Sequence, residues 1–180
     1  TLAGLTETGN AYTITITDSS VDAAALNTLD GKTTVAIDAS NITTLTGAAA
    51  DLNTAYAANG SSLTGLGNEA ATLSDTTLAV SVLNTLDGNT SGTVNANTVS
   101  TLSGAAADLN TAYGSSGISN LGDEAVTLSD TSLSASVLNT LDGNTSGTVN
   151  ANTVSTLSGA AADLNTAYGS SGISNLGDEA

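Results

Sequence analysis

Two short phrases alternate along the chain. LNTLDG occupies residues 26–31, 83–88 and 138–143, and AADLNTAY occupies residues 49–56, 106–113 and 161–168. Both contain LNT, which begins at Leu26, Leu52, Leu83, Leu109, Leu138 and Leu164, at intervals of 26, 31, 26, 29 and 26 residues. A period of this size marks a solenoid, in which each step is one supersecondary unit that buries its apolar stripe only by stacking on the next.

Working outward from LNT, the true repeat is a pair of steps. Residues 81–125 and 136–180 are the same string, letter for letter, and the first copy differs most, carrying AANGSSLTGLGNEA where the later ones have GSSGISNLGDEA. The chain thus reads as three double repeats, 1–69, 70–124 and 125–180, within one continuous solenoid excerpted from a longer chain.

Each step opens with an alternating stretch that reads as a strand. One series is 11–17, 70–74 and 125–129, and the other is 33–39, 92–97 and 147–152. Alternation at period two puts Tyr12, Ile14 and Ile16 on one face and Thr13, Thr15 and Thr17 on the other. A helical pattern follows. Over 18–31, Val21, Ala25, Leu26 and Leu29 share a side, with Asp18, Ser19 or Ser20 as caps and Gly31 as the stop. Over 41–56, Ile42, Leu45, Ala49, Leu52 and Tyr56 repeat the spacing, which predicts a longer helix. Strand and helix in alternation give an α/β class: an elongated, right-handed solenoid with short parallel strands on one face and short helices on the other. The alternative is an all-β solenoid with LNT at a corner.

Composition narrows the chemistry. Twelve residue types are used, His, Cys and Arg are absent, and Lys32 is the one cation against 17 acids, for a formal charge of −16. Catalysis has little to work with, so the reading is not an enzyme. The adjacent acids Asp123 and Glu124 in GDEA read as a solvated turn. Strong acidity disfavours nucleic acid, and no apolar run reaches the ~18 residues of a membrane span.

Two sets of residues stand out. Asn27, Asn53, Asn84, Asn110, Asn139 and Asn165 recur at one place in each step and would stack as a structural ladder, their amides satisfying backbone groups. The DxNxSG segments place Asp87, Asn89 and Ser91, and again Asp142, Asn144 and Ser146, at the first oxygen positions of a calcium loop. Thr98 and Thr153 stand where the closing bidentate Glu belongs, and DG and NTSG are also ordinary turn chemistry. Weak calcium binding is the one cofactor expectation.

SVLNTLDGNTSGTVNA and LSGAAADLNTAY resemble repeats in very large secreted proteins of marine cyanobacteria, including the swimming-associated cell-surface type of Synechococcus. LNTLDG is also similar to the ELNILDG-type repeats of marine phage tail fibres. The resemblance implies a long extracellular fibrous or adhesive protein at the cell surface, whose partners are neighbouring repeats, other copies or cell-surface components. It carries over no catalytic residue.

Overall fold

The computed structural model describes residues 9–177. The elements run β1 Ser20–Asp22, α1 Ala23–Asp30, β2 Ile37–Asp38, β3 Thr44–Gly47, α2 Ala49–Ala58, β4 Leu63–Thr64, β5 Ala70–Leu73, β6 Thr77–Ala79 and α3 Val80–Asn89. They continue as β7 Val94–Asn95, β8 Thr101–Gly104, α4 Ala106–Gly114, β9 Ile118–Ser119, β10 Ala125–Leu128, β11 Ser132–Ser134 and α5 Ala135–Asn144. The last are β12 Val149–Asn150, β13 Thr156–Ser158, α6 Ala161–Gly169 and β14 Ile173–Ser174. The fold is an α/β repeat in which each LNT lies in a helix and the strand pairings are parallel. Two compact units divide the chain: Thr1–Asp75 with Thr85–Ala96, and Thr76–Asn84 with Asn97–Ala180.

Within the first unit, β3 pairs with β1 and β5, and β5 pairs with β7. The register stacks Val21, Leu45, Ala71 and Val94 in one aliphatic column, from which Leu45, Ala71 and Val94 are fully excluded from water. Ile37 and Leu63 face one another in a second pairing, β2 with β4. In the second unit β6, β8, β10, β12 and β14 pair in turn, aligning Leu78, Leu102, Val126, Val149 and Ile173. All five are buried. Identical-type residues meet because equivalent positions of successive coils lie in register, so one Val or Leu per coil suffices to build a continuous core.

The helices close that core with the Leu of LNT and the apolar residue three positions on. Leu26, Leu52, Leu83, Leu109 and Leu138 are at most 1% exposed, and so are Ala55, Leu86, Ala112, Leu141 and Ala167. Helices α1 and α2 pack together, as do α4, α5 and α6. Each is eight to ten residues long, too short to persist without this burial.

The sequence reading needs correction in three places. It gives each step one strand of about five residues, whereas coils carry two or three strands of two to four residues. The additional strands, β1, β3, β6, β8, β11 and β13, each stand just before a helix, where the apolar spacing suggested the helix itself. Ile42 to Ala49 fits a helical stripe, but Gly47 adopts φ +135 and breaks it, so residues 44–47 extend and Leu45 reaches the core from a strand. The helix of the AADLNTAY step is the longer one only in the first pair, where α2 has ten residues against eight for α1; α4 and α6 have nine against ten for α3 and α5. Third, the expected strand over 11–17 is confined to a single bridge, Thr15 to Asp38, and Tyr12 is 56% exposed instead of joining Ile16 in the core.

The duplicated string supplies an internal control. Leu109 is fully buried beneath the following coil, whereas Leu164, in the same local sequence, is half-buried. Leu109→Ala is expected to cost about 2–5 kcal/mol in a denaturant titration, the range for a buried Leu, and Leu164→Ala less than half of whatever Leu109→Ala costs. Equal losses would show that burial by the neighbouring coil is not what stabilises the helix.

Candidate functional site

The recurring Asn and Asp residues form rows of contacts from coil to coil. The amide Nδ2 of Asn27 donates to the Asp51 carbonyl at 2.9 Å, Asn84 donates to Asp108 at 3.0 Å, and Asn139 donates to Asp163 at 3.0 Å. Each reaches the first turn of the next helix. The other three ladder positions behave differently. Asn53 Oδ1 accepts from Asn89 Nδ2 at 2.9 Å, and Asn110 Oδ1 accepts from Asn144 Nδ2 at 2.9 Å while its own Nδ2 donates to the Val137 carbonyl at 3.2 Å. Asn165 is exposed. At Asn110 the amide donates and accepts at once.

A second row satisfies helix N-termini. Helix α1 is capped by its own Asp22, whose Oδ1 accepts from Ala25 N–H at 2.9 Å. Asp22 replaces the expected Asp18, Ser19 or Ser20 because residues 20–22 are extended as β1. Helices α2 and α4 have Ala at the cap position and no side-chain cap of their own. A carboxylate from the following coil serves instead: Asp75 accepts from Ala49 N–H, and Asp130 accepts from Ala106 N–H, both at 2.8 Å. Negative charge at a helix N-terminus is stabilised by the exposed amides and the helix dipole.

The DxNxSG segments are not loops in their first half. Asp87, Gly88 and Asn89 are the last residues of α3, and Asp142, Gly143 and Asn144 the last of α5. Asn89 and Asn144 donate through Nδ2 to Asn53 and Asn110 of the preceding coil. Asp142 Oδ2 accepts from Ser170 Oγ at 2.7 Å, as Asp30 does from Ser62 at 2.8 Å. Ser91 and Ser146 each donate through N–H and Oγ to the carbonyls of Gly67 and Gly122. Among the described residues no group of three or more acids is arranged to hold a metal ion, and no helix is long and apolar enough to cross a membrane.

One constellation escaped the sequence reading. Glu69 and Glu124 are fully buried, though the GDEA around Glu124 reads as a solvated turn, and Asp123 beside it is exposed. Glu69 Oε2 accepts the Gly67 and Asn68 N–H groups at 2.8 and 3.2 Å, and Glu124 Oε2 accepts Gly122 N–H at 2.9 Å and the Tyr113 hydroxyl at 3.0 Å. Thr90 and Thr145 bind the carbonyls of the same two Glu residues, at 2.7 and 2.8 Å. In both carboxylates Oε1 is buried without a partner. The chain has no Arg or His to neutralise them, so backbone N–H groups and one phenol carry that role. The signal available in sequence was the constant Tyr ahead of each such Glu, 13 residues for Tyr56 and Glu69 and 11 for Tyr113 and Glu124.

Burial pushes the Tyr56 phenol up to about 12, with Glu69 adding repulsion against the phenolate. Burial, then the charge of Glu124, raises Tyr113 as well. A raised phenol pKa stabilises the fold below the unfolded value of about 10 and withdraws that stability as pH climbs toward 12. Stability by urea titration is therefore expected to fall across pH 10–12, and Tyr56→Phe to flatten the fall. A profile unchanged by Tyr56→Phe would contradict this.

Asn84→Ala is expected to cost about 0.5–1.5 kcal/mol, the net worth of one hydrogen bond, and Asn84→Asp more, since a carboxylate cannot donate to the Asp108 carbonyl. Urea denaturation of both variants checks the order; Asp tolerated as well as Ala would remove the donor role.

Compared with known proteins, the chain matches no family model, no curated protein and no solved structure.

Proposed function

We propose that this chain is a structural segment of a long extracellular cell-surface or fibre protein, a modular spacer whose reach scales with copy number and whose sides offer an interaction surface. The observation that carries the reading is that successive coils satisfy one another. Asn27, Asn84 and Asn139 bind carbonyls 24 residues on, and Asp75 and Asp130 cap helices 26 and 24 residues back. Such nearest-neighbour bonding lets copies be added or lost without redesign. The near-identity of residues 81–125 and 136–180 fits a chain that lengthens by duplication.

The side-chain chemistry supports the same role. With 17 acids, one Lys and no Cys, the chain presents a surface that stays soluble and resists association through like charge. Parallel strand stacks have two open edges, which invite aggregation, and a dense negative charge opposes it.

Two measurements test the proposal. Inserting further copies of residues 126–180 should lengthen the maximum dimension in small-angle scattering by equal steps while leaving the cross-section constant. Antibody raised against the 81–125 string should label intact cells that make the protein as strongly as permeabilised ones. A dimension that grows as the cube root of mass, or labelling only after permeabilisation, would reject it.

A further inference from the structure

A cleft recurs in the second unit that none of the contacts above accounts for. Its first occurrence is lined by Asn97, Asn120, Leu121, Gly122 and Asp123 and encloses about 440 Å³. Its second, 55 residues on, is lined by Asn152, Val154, Asn175, Leu176 and Gly177 and encloses about 240 Å³. Asn97 and Asn152 are equivalent, as are Asn120 and Asn175, Leu121 and Leu176, and Gly122 and Gly177. Four lining positions are thus shared by the two clefts, with Asp123 added in the first and Val154 in the second.

The clefts are formed by backbone, not by chance placement of surface side chains. Asn120 and Asn175 sit in the left-handed region, at φ 62 and 61, a conformation Asn tolerates better than other non-glycine residues. In the second cleft Asn150 Oδ1 accepts both Asn152 N–H, at 3.1 Å, and Asn175 Nδ2, at 2.7 Å, which fixes the Asn175 amide at the rim. Val154, 5% exposed, and the half-buried Leu176 supply an aliphatic floor.

In the first double repeat the equivalent turn lies closer to the coil before it. Ser40 stands where the later copies have Asn97 and Asn152, and Gly65 where they have Asn120 and Asn175. Gly65, at φ +87, lies so close to Ser40 that an added Cβ would meet its Cα at 2.8 Å and its N at 2.9 Å. The turn is closed down on the coil before it, and Leu66, equivalent to Leu121, is only 8% exposed. Asn in place of Gly and Ser goes with an opened, amide-rimmed cleft.

We propose that these clefts bind neutral saccharide. Amides offer both donors and acceptors, and Asp123 offers acceptors, a set that suits hydroxyl groups, which also do both. The aliphatic floor suits the C–H face of a sugar ring. No cation lines either cleft, and the chain carries −16, so an anionic ligand is disfavoured. Volumes near the ~300 Å³ lower end of small-molecule sites suit one ring of a longer glycan. Without an aromatic platform each site is weak, and the identical copies raise avidity on a polymeric ligand. This deepens the reading of the chain as an extracellular interaction surface and rests on it.

The test is affinity electrophoresis of the full chain through gels containing dextran, mannan or galactan, with heparin as the anionic control. Retardation is expected in at least one neutral gel and not in heparin. The variant Asn120→Gly with Asn175→Gly restores the residue of the first copy, is compatible with the left-handed backbone, and should weaken retardation at least tenfold with an unchanged circular-dichroism spectrum and melting point. Absence of retardation in every neutral gel, retardation by heparin alone, or a double variant retarded as strongly as the native chain would overturn the proposal. Any of these outcomes alongside positive labelling of intact cells leaves the structural role standing and removes only the saccharide site.

Discussion

The fold depends on a debt that each coil leaves to its neighbour. Helices α2 and α4 begin at Ala residues that bring no cap, and their first amides are met by Asp75 and Asp130 of the following coil. An orphan N–H at a helix start is costly when buried, and Ala49 and Ala106 are fully buried. Strand, helix and core are all arranged so that the carboxylate arrives there. The coil of α2 or α4 taken alone would have neither its apolar column covered nor its helix terminus satisfied.

Burial and hydrogen bonding then reinforce one another. The in-register columns bring equivalent residues together, which places each Asn of the LNTLDG helices opposite a backbone carbonyl of the next helix. Serine and threonine hydroxyls repeat the pattern at the strand ends: Thr43, Ser100 and Ser155 each donate at 3.0 Å to a carbonyl 24 residues earlier. A chain poor in aromatic residues thereby holds a regular structure through many small terms of one kind.

Much of this was legible in the sequence. The LNT period located all six helices, and the alternation in 70–74 and 125–129 located β5 and β10. What was not legible had physical causes. Residues 42–49 keep their apolar spacing whether helical or extended, and the deciding feature, the positive φ of Gly47, leaves no mark on periodicity. Asp87 to Asn89 read as the start of a loop but end helix α3, because helix C-termini and loops draw on the same residues, Asp, Gly and Asn. Glu124 looked solvated because its neutralising partners, a backbone N–H group and a Tyr more than ten residues earlier, are visible only once the turn is folded. The clefts were hidden for the same reason, since they arise from how closely one turn lies on another.

Amide hydrogen exchange at Ala106 and Ala161 measures the central dependence most directly. Both residues open an identical helix sequence, and Ala106 is fully buried with its N–H on Asp130 whereas Ala161 is exposed. The Ala106 amide should exchange much more slowly than that of Ala161, and Asp130→Ala should bring it to the Ala161 rate without unfolding the helix core. Ala106 exchanging as fast as Ala161 in the native chain, or remaining protected after Asp130→Ala, would contradict the claim that each coil is completed by the next.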